Sequence, residues 1–304
     1  MSYTGKKVQV KMNIKFHEPI TAYALLPDGW LPFAFAPASV VLVDRNIVAT
    51  AKSIAAESKR ADIPANKWWF RFLDNKNYTL HPMLAALEGN ARRNPTYDEF
   101  VLEFQQATES LKEVFPSANF IDFDEKQYRA GYAIAEDMEK RYESDVAFLI
   151  GASEHLQMVA PEGKLRTIED TLLMISRSLE PKPSLFVVLA ALSCLYENSK
   201  DPAANIGRNI LKPKRDYSEL SAHNAISDIR ALELLLIFQN LQVRPPIYCT
   251  RDKALKDFWV AVNPTQVVRS EGGCEFKLRF RKELFPRLTY KECESLIERL
   301  ELGL

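Results

Sequence analysis

Polar and apolar positions alternate strictly over 7–16, KVQVKMNIKF, which is the period of a half-buried strand. Pro27, Asp28 and Gly29 then mark a turn. The β-branched run 39–43, SVVLV, stops at Asp44 and predicts a buried strand with an acid at its carboxyl end; helical spacing follows over 45–59. Pro82 suits the first position of a helix, where its missing N–H costs nothing, and MLAALEGNARR continues that helix. Thr96 and Glu99 stand at capping-box spacing and predict a helix to about Phe115. A period near 3.6 recurs over 124–143, 145–158 and 166–179, after which Pro181 and Pro183 break the chain. The stretch 184–197 is apolar on nearly every side, as a helix inside a core must be. A polar, basic loop is expected over 199–219 and a long helix over 220–241, ended by Pro245 and Pro246. IYCT (247–250) reads as a strand, with Asp252 just beyond it. Strand-like runs at 258–262 and 275–280 and an amphipathic helix at 289–301 complete the pattern, and no internal repeat interrupts it.

Strand, many helices, then strand, with acids after the strands, predicts an α/β fold with a short central parallel sheet surrounded by helices. Ligands of such sheets bind beyond the carboxyl ends of the strands, so Asp44 and Asp252 should point into one crevice.

Composition narrows the function classes. The chain is 47% hydrophobic and 26% charged, ordinary for a globular protein, and its 40 Lys plus Arg balance 40 Asp plus Glu. A polyanion partner would therefore need a local basic patch, such as Arg208, Lys212, Lys214 and Arg215 in the 199–219 loop. Cys194, Cys249, Cys274 and Cys293 form no CxxC pair, and a reducing cytoplasm suits them. No signal-peptide h-region and no membrane-length apolar stretch is visible, so no membrane partner is expected. The histidines His17, His81, His155 and His223 share no metal-ligand spacing; His81 before Pro82 reads as helix-start chemistry. Trp68 and Trp69 read first as packing residues beside Phe70 and Phe72. There is no Gly-rich phosphate loop, serine elbow or HExxH motif.

Three local patterns carry chemistry. They are VVLVDRN (40–46), HNAISDIRALELL (223–235), read as a helix with Asp228 in its first turn, and YCTRDKAL (248–255). In this order they resemble the PIN-domain nuclease family, whose members pair a strand ending in Asp-x-Asn with a helical Asp and a strand running into Thr-x-Asp. The family's remaining acid is matched best by Glu88 in HPMLAALEGN; Glu57 and Glu99 match less well, and capping already explains Glu99. The resemblance implies a PIN-like core at 37–119 and 200–304, an N-terminal extension at 1–36 and a helical insertion at 120–199. It implies a metal-dependent endonuclease with RNA as the expected substrate. Asp44, Glu88, Asp228 and Asp252 would hold Mg²⁺ or Mn²⁺, hard cations that prefer carboxylate oxygens. Asn46, Thr250 and Asn224 would orient carboxylates or substrate, and Lys214 and Arg215 would meet phosphates. The alternatives are a non-catalytic PIN-like nucleic-acid-binding or interaction module, a DNA or flap nuclease, and a toxin or defence effector restrained by an inhibitory protein. A homo-oligomer is compatible with each.

Overall fold

The computed structural model describes residues 22–27, 29–56, 70–88, 93–198, 205–239, 246–270 and 273–301. The alternating segment 7–16, Glu57, Trp68 and Trp69 lie outside them.

The sheet begins as a hairpin, β1 (Tyr23–Leu26) and β2 (Gly29–Pro32), around the expected turn. Next come β3 (Val40–Val43), α1 (Arg45–Ala56), β4 (Thr79–His81), α2 (Met83–Glu88), α3 (Tyr97–Val114) and β5 (Asn119–Phe120). Helices α4 (Glu125–Glu139), α5 (Tyr142–Leu156), α6 (Leu165–Ser178), α7 (Leu185–Leu195), α8 (Ile206–Leu211) and α9 (Glu219–Gln239) follow. The chain then returns to the sheet as β6 (Ile247–Thr250) and ends in α10 (Lys253–Val262), the hairpin β7 (Pro264–Ser270) and β8 (Gly273–Leu278), and α11 (Tyr290–Glu301).

The fold is α/β, and its central sheet is mixed rather than wholly parallel. Six strands run in the order β2-β1-β6-β3-β4-β5. β6, β3, β4 and β5 pair in parallel, whereas β1 is antiparallel to both β6 and β2. Residues 23–32, expected in an N-terminal extension, therefore supply one edge of the sheet. YALL carries no polar alternation because β1 is buried almost throughout, which is why its sequence does not announce a strand.

Side-chain alternation divides the apolar residues between the two faces. Val41, Val43, Ile247 and Cys249 join a cluster with Ile47, Ala51 and Leu111 of α1 and α3. Leu42 and Tyr248 face the other way, into a larger cluster containing Phe148, Phe186 and Leu232. At roughly 1.5–3 kcal/mol per fully buried large apolar side chain, both faces are covered by substantial cores. The helices of 125–195 belong to the second core, and no strand occurs among the described residues 121–198.

Several elements match their sequence signals closely. Thr96 and Glu99 form the capping box of α3, and Glu99 is also held by Arg93. The Nδ1 of His81 accepts the Met83 N–H at 3.3 Å, so this histidine does start α2, while Pro82 precedes the helix. Residues 186–195 of α7 are all buried. Other elements differ. FWVAV (258–262) is helix, not strand: Asp252 caps α10 by accepting from the Leu255 N–H at 3.0 Å. Leu255, Phe258, Trp259 and Val262 then fall at i, i+3, i+4 and i+7 on the buried face. Part of the expected 199–219 loop is α8, which packs so closely on α7 that a Cβ on Gly207 would lie 2.3 Å from the Cys194 nitrogen. No helix among the described residues is long and apolar enough to cross a membrane.

Candidate functional site

Because β3 and β6 are parallel neighbours, the residues leaving their carboxyl ends emerge side by side. Asp44 is the first residue beyond β3 and is 8% exposed. Its own N–H donates to the Cys249 carbonyl at 3.1 Å, extending the ladder to the crevice edge. One carboxylate oxygen accepts from the Asn46 N–H at 2.9 Å and the other from the buried Thr250 hydroxyl at 2.7 Å. Thr250 Oγ1 in turn accepts from the Asp252 N–H at 3.0 Å. One hydroxyl thus fastens the two strand-end acids into a fixed relation.

Glu88 comes from the last turn of α2 and pairs with Arg45 Nη1 at 3.1 Å. Asp228 comes from α9, but not from its first turn as expected: that helix starts at Glu219, so Asp228 is mid-helix. Ser218 caps the earlier start, accepting the Ser221 N–H with its side chain.

The four acids are far apart in sequence yet act on one another. Burial, then the charges of Asp252, Asp44 and Glu88, push the Asp228 carboxyl up to about 8, against the opposing pull of Lys212. Burial also raises Asp44; the bonds from Asn46 and Thr250 offset part of this and Asp252 adds to it. Glu88 is raised by burial, with Arg45 opposing and Asp44 reinforcing. Two buried like charges cannot both ionise cheaply, and this is the environment in which a cation is welcome.

In arrangement, however, the acids are not a ready-made metal cage. Among the described residues, no group of three or more His, Cys, Asp or Glu side chains is placed to hold one ion in common. Three of the four carboxylates have their own engagement: Asp44 with Asn46 and Thr250, Glu88 with Arg45, and Asp252 with the first turn of α10. The donor set suits Mg²⁺ or Mn²⁺ in kind, being all hard oxygen. Sharing an ion would require Glu88 to exchange Arg45 for it.

The remaining expected residues divide. Asn46 contributes its backbone N–H to Asp44, and its side chain is exposed. Asn224 is exposed on α9, one turn before Asp228. Lys214 and Arg215 are exposed between α8 and α9. Arg208 is engaged within the fold: it holds the buried Glu197 through two bonds of 2.6 Å and the Leu156 carbonyl at 2.8 Å. His223 is likewise engaged, 2.7 Å from the Tyr142 hydroxyl.

One residue was not anticipated, and a second, Lys212, was expected only as part of the basic loop. Tyr248 is buried at the base of the crevice, where its phenol is pushed well above the ordinary range by burial and by Asp44, Asp228 and Glu88. Strand alternation could have found it, since Tyr248 shares the face of Thr250 two residues on. Lys212 is the loop cation whose charge reaches Asp228, and it ends α8 in a left-handed conformation, φ 48°.

Asp44, Glu88 and Asp228 line a cavity of about 470 Å³ that continues between α2, α4 and α9. Comparison of the chain with protein-family models, with curated proteins and with solved structures found no match, so the site is described by its own geometry alone.

Proposed function

We propose that this crevice is the centre of a Mg²⁺- or Mn²⁺-dependent nuclease with a PIN-like core, acting on nucleic acid and by preference on RNA. The supporting observation is the junction of Asp44 and Asp252 through Thr250 at the ends of adjacent parallel strands, with Asp228 and Glu88 in electrostatic reach. Asp44 and Asp252 would hold the ion directly, and Glu88 and Asp228 would complete its shell or hold its water. A divalent ion there supplies Lewis acidity toward a phosphate oxygen and eases deprotonation of an attacking water. Thr250 and the Asn46 N–H keep Asp44 aimed. Lys212, with Lys214 and Arg215 beyond it, offers positive charge to the flanking phosphates. In this reading the helices of 120–199 are an insertion into the core, and RNA preference rests on the resemblance in sequence.

A second reading has its own observation. Glu88 is already neutralised by Arg45, and no common ligand set exists among the described residues. That favours a module that keeps the architecture and binds nucleic acid or a protein without cleaving. One experiment separates the two: Mn²⁺ titration followed by melting, beside cleavage of labelled RNA and DNA strands. A nuclease shows a metal-dependent rise in Tm and metal-dependent cleavage. A binding module shows retention of the strand with neither.

A further inference from the structure

The cavity is larger than acid and metal chemistry requires. Along α9 its lining runs from Ser227 to Leu234, about 10 Å of helix axis. Along α4 it runs from Tyr132 to Glu139, again about 10 Å. Much of the lining is apolar or aromatic, with Leu84, Leu87, Tyr132, Ala135, Met138 and Leu234.

That lining is also braced. The Tyr132 hydroxyl donates to the Pro95 carbonyl at 2.9 Å, fixing the ring against the segment before α3. Arg230 donates to Asn94 Oδ1 at 3.0 Å and to the Met138 carbonyl at 2.9 Å, and its guanidinium stacks over Tyr142. These bonds tie α4, α9 and the 93–96 segment into one rigid frame. The exposed residues Glu136 and Glu139 also line the cavity, and Glu139 pairs with Arg230 at 3.8 Å.

We infer that this alcove binds one nucleobase of the strand, held out of its stack and bearing an exocyclic amino group, as adenine, cytosine and guanine do and uracil does not. The inference rests on the nuclease reading and adds substrate selection to it. A planar ring matches an apolar pocket with an aromatic wall, and single-stranded RNA is recognised through unstacked bases held this way. A phosphate is disfavoured by the lining acids. A compact polyamine would meet Arg45 and Arg230 on the same lining. Ionised carboxylates only accept hydrogen bonds, so they pair with an amino group and oppose the carbonyls of uracil.

The test titrates adenosine, cytidine, uridine and spermidine, without metal, into the full chain and its Ala135→Trp and Glu136→Ala variants, with melting run beside each. Adenosine and cytidine should bind about tenfold more tightly than uridine. Ala135→Trp, which fills the alcove, should abolish that binding. Glu136→Ala lies on exposed surface and tests the selectivity even if Ala135→Trp does not fold; it should shrink the preference. Cleavage of oligoadenylate and oligouridylate with Mn²⁺ supplies the second readout. Nucleoside binding without cleavage would remove the nuclease reading and keep the alcove. Cleavage with no nucleoside binding, equal binding of all three, binding unaffected by both alcove variants, or spermidine as the only ligand would overturn the alcove.

Discussion

Thr250 Oγ1 donates to Asp44 Oδ2 at 2.7 Å across a sequence separation of 206 residues, and accepts from the Asp252 N–H in the same stroke. The hydroxyl is buried, so nothing in solvent replaces it. Thr250→Val keeps the shape and removes both bonds. We expect a stability loss of about 1–3 kcal/mol, read from denaturant melts, because a buried carboxylate oxygen and an N–H lose their partner. If the site holds Mn²⁺, its affinity should fall with it. A variant as stable as the parent would show that Thr250 does not organise the acids.

Asp44→Asn should abolish metal-dependent cleavage, by roughly a thousandfold, while the fold survives. The amide oxygen still accepts from the Asn46 N–H, and the Thr250 hydroxyl can rotate to accept from the amide nitrogen. Circular dichroism and a cleavage assay on the same sample check both halves. Unchanged cleavage would remove Asp44 from the centre.

Asp228 gives a pH signature whose sign is fixed. Its carboxyl is raised to about 8 from 3.8, so the folded chain keeps a proton that the unfolded chain releases. This group therefore destabilises the fold progressively as pH rises from about 4 to about 8, and the penalty is complete above that. Asp228→Asn removes it. The variant's gain over the parent should be small at pH 4 and reach several kcal/mol at pH 9, read from paired melts. A gain independent of pH would show that Asp228 ionises normally.

The two exposed lysines of the loop before α9 should behave differently. Lys212→Ala removes the charge that lowers Asp228, so the Asp228 carboxyl should titrate still higher, visible by carboxyl NMR. Lys214→Ala should leave that titration alone, weaken strand binding and reduce its salt dependence by about one counterion.

Gly207 sets the contact of α8 with α7. A Cβ there would fall 2.3 Å from the Cys194 nitrogen and 2.4 Å from the Ala190 oxygen, both backbone atoms that cannot swing aside. Gly207→Ala should cost about 3 kcal/mol. A thermal melt within a degree of the parent would contradict that packing.

The parts of the fold that sequence disclosed are those with a local cause. Thr96 and Glu99 announce a helix start because the capping box closes within four residues, and β3 is visible because Val40–Val43 is compact and β-branched. The hairpin at 23–32 and the three-residue β4 have no such signature; their strand state comes from pairing with distant partners. FWVAV misled because β-branched and aromatic composition suggests a strand, whereas the cap at Asp252 had already committed the backbone to helix. Of the site, the positions of Asp44 and Asp252 just beyond two strands were legible, since each acid follows a compact apolar run, although Asp252 is not among the residues lining the cavity. The Arg45–Glu88 pair was not, since it depends on which side chains the tertiary fold turns inward.

The position of β6 has a consequence for biosynthesis. β6 lies between β1 and β3, although it is made more than two hundred residues after the first of them. Until residue 250 leaves the ribosome, the strands at 23–26 and 40–43 each lack their inner neighbour, and Asp44 lacks the hydroxyl that aims it. Sheet closure is therefore a late, long-range and slow event, with two open strand edges exposed to other chains during synthesis. A nascent chain arrested before β6 carries Asp44, Glu88 and Asp228 but lacks the strand that completes the crevice, so the crevice assembles only once β6 has been made.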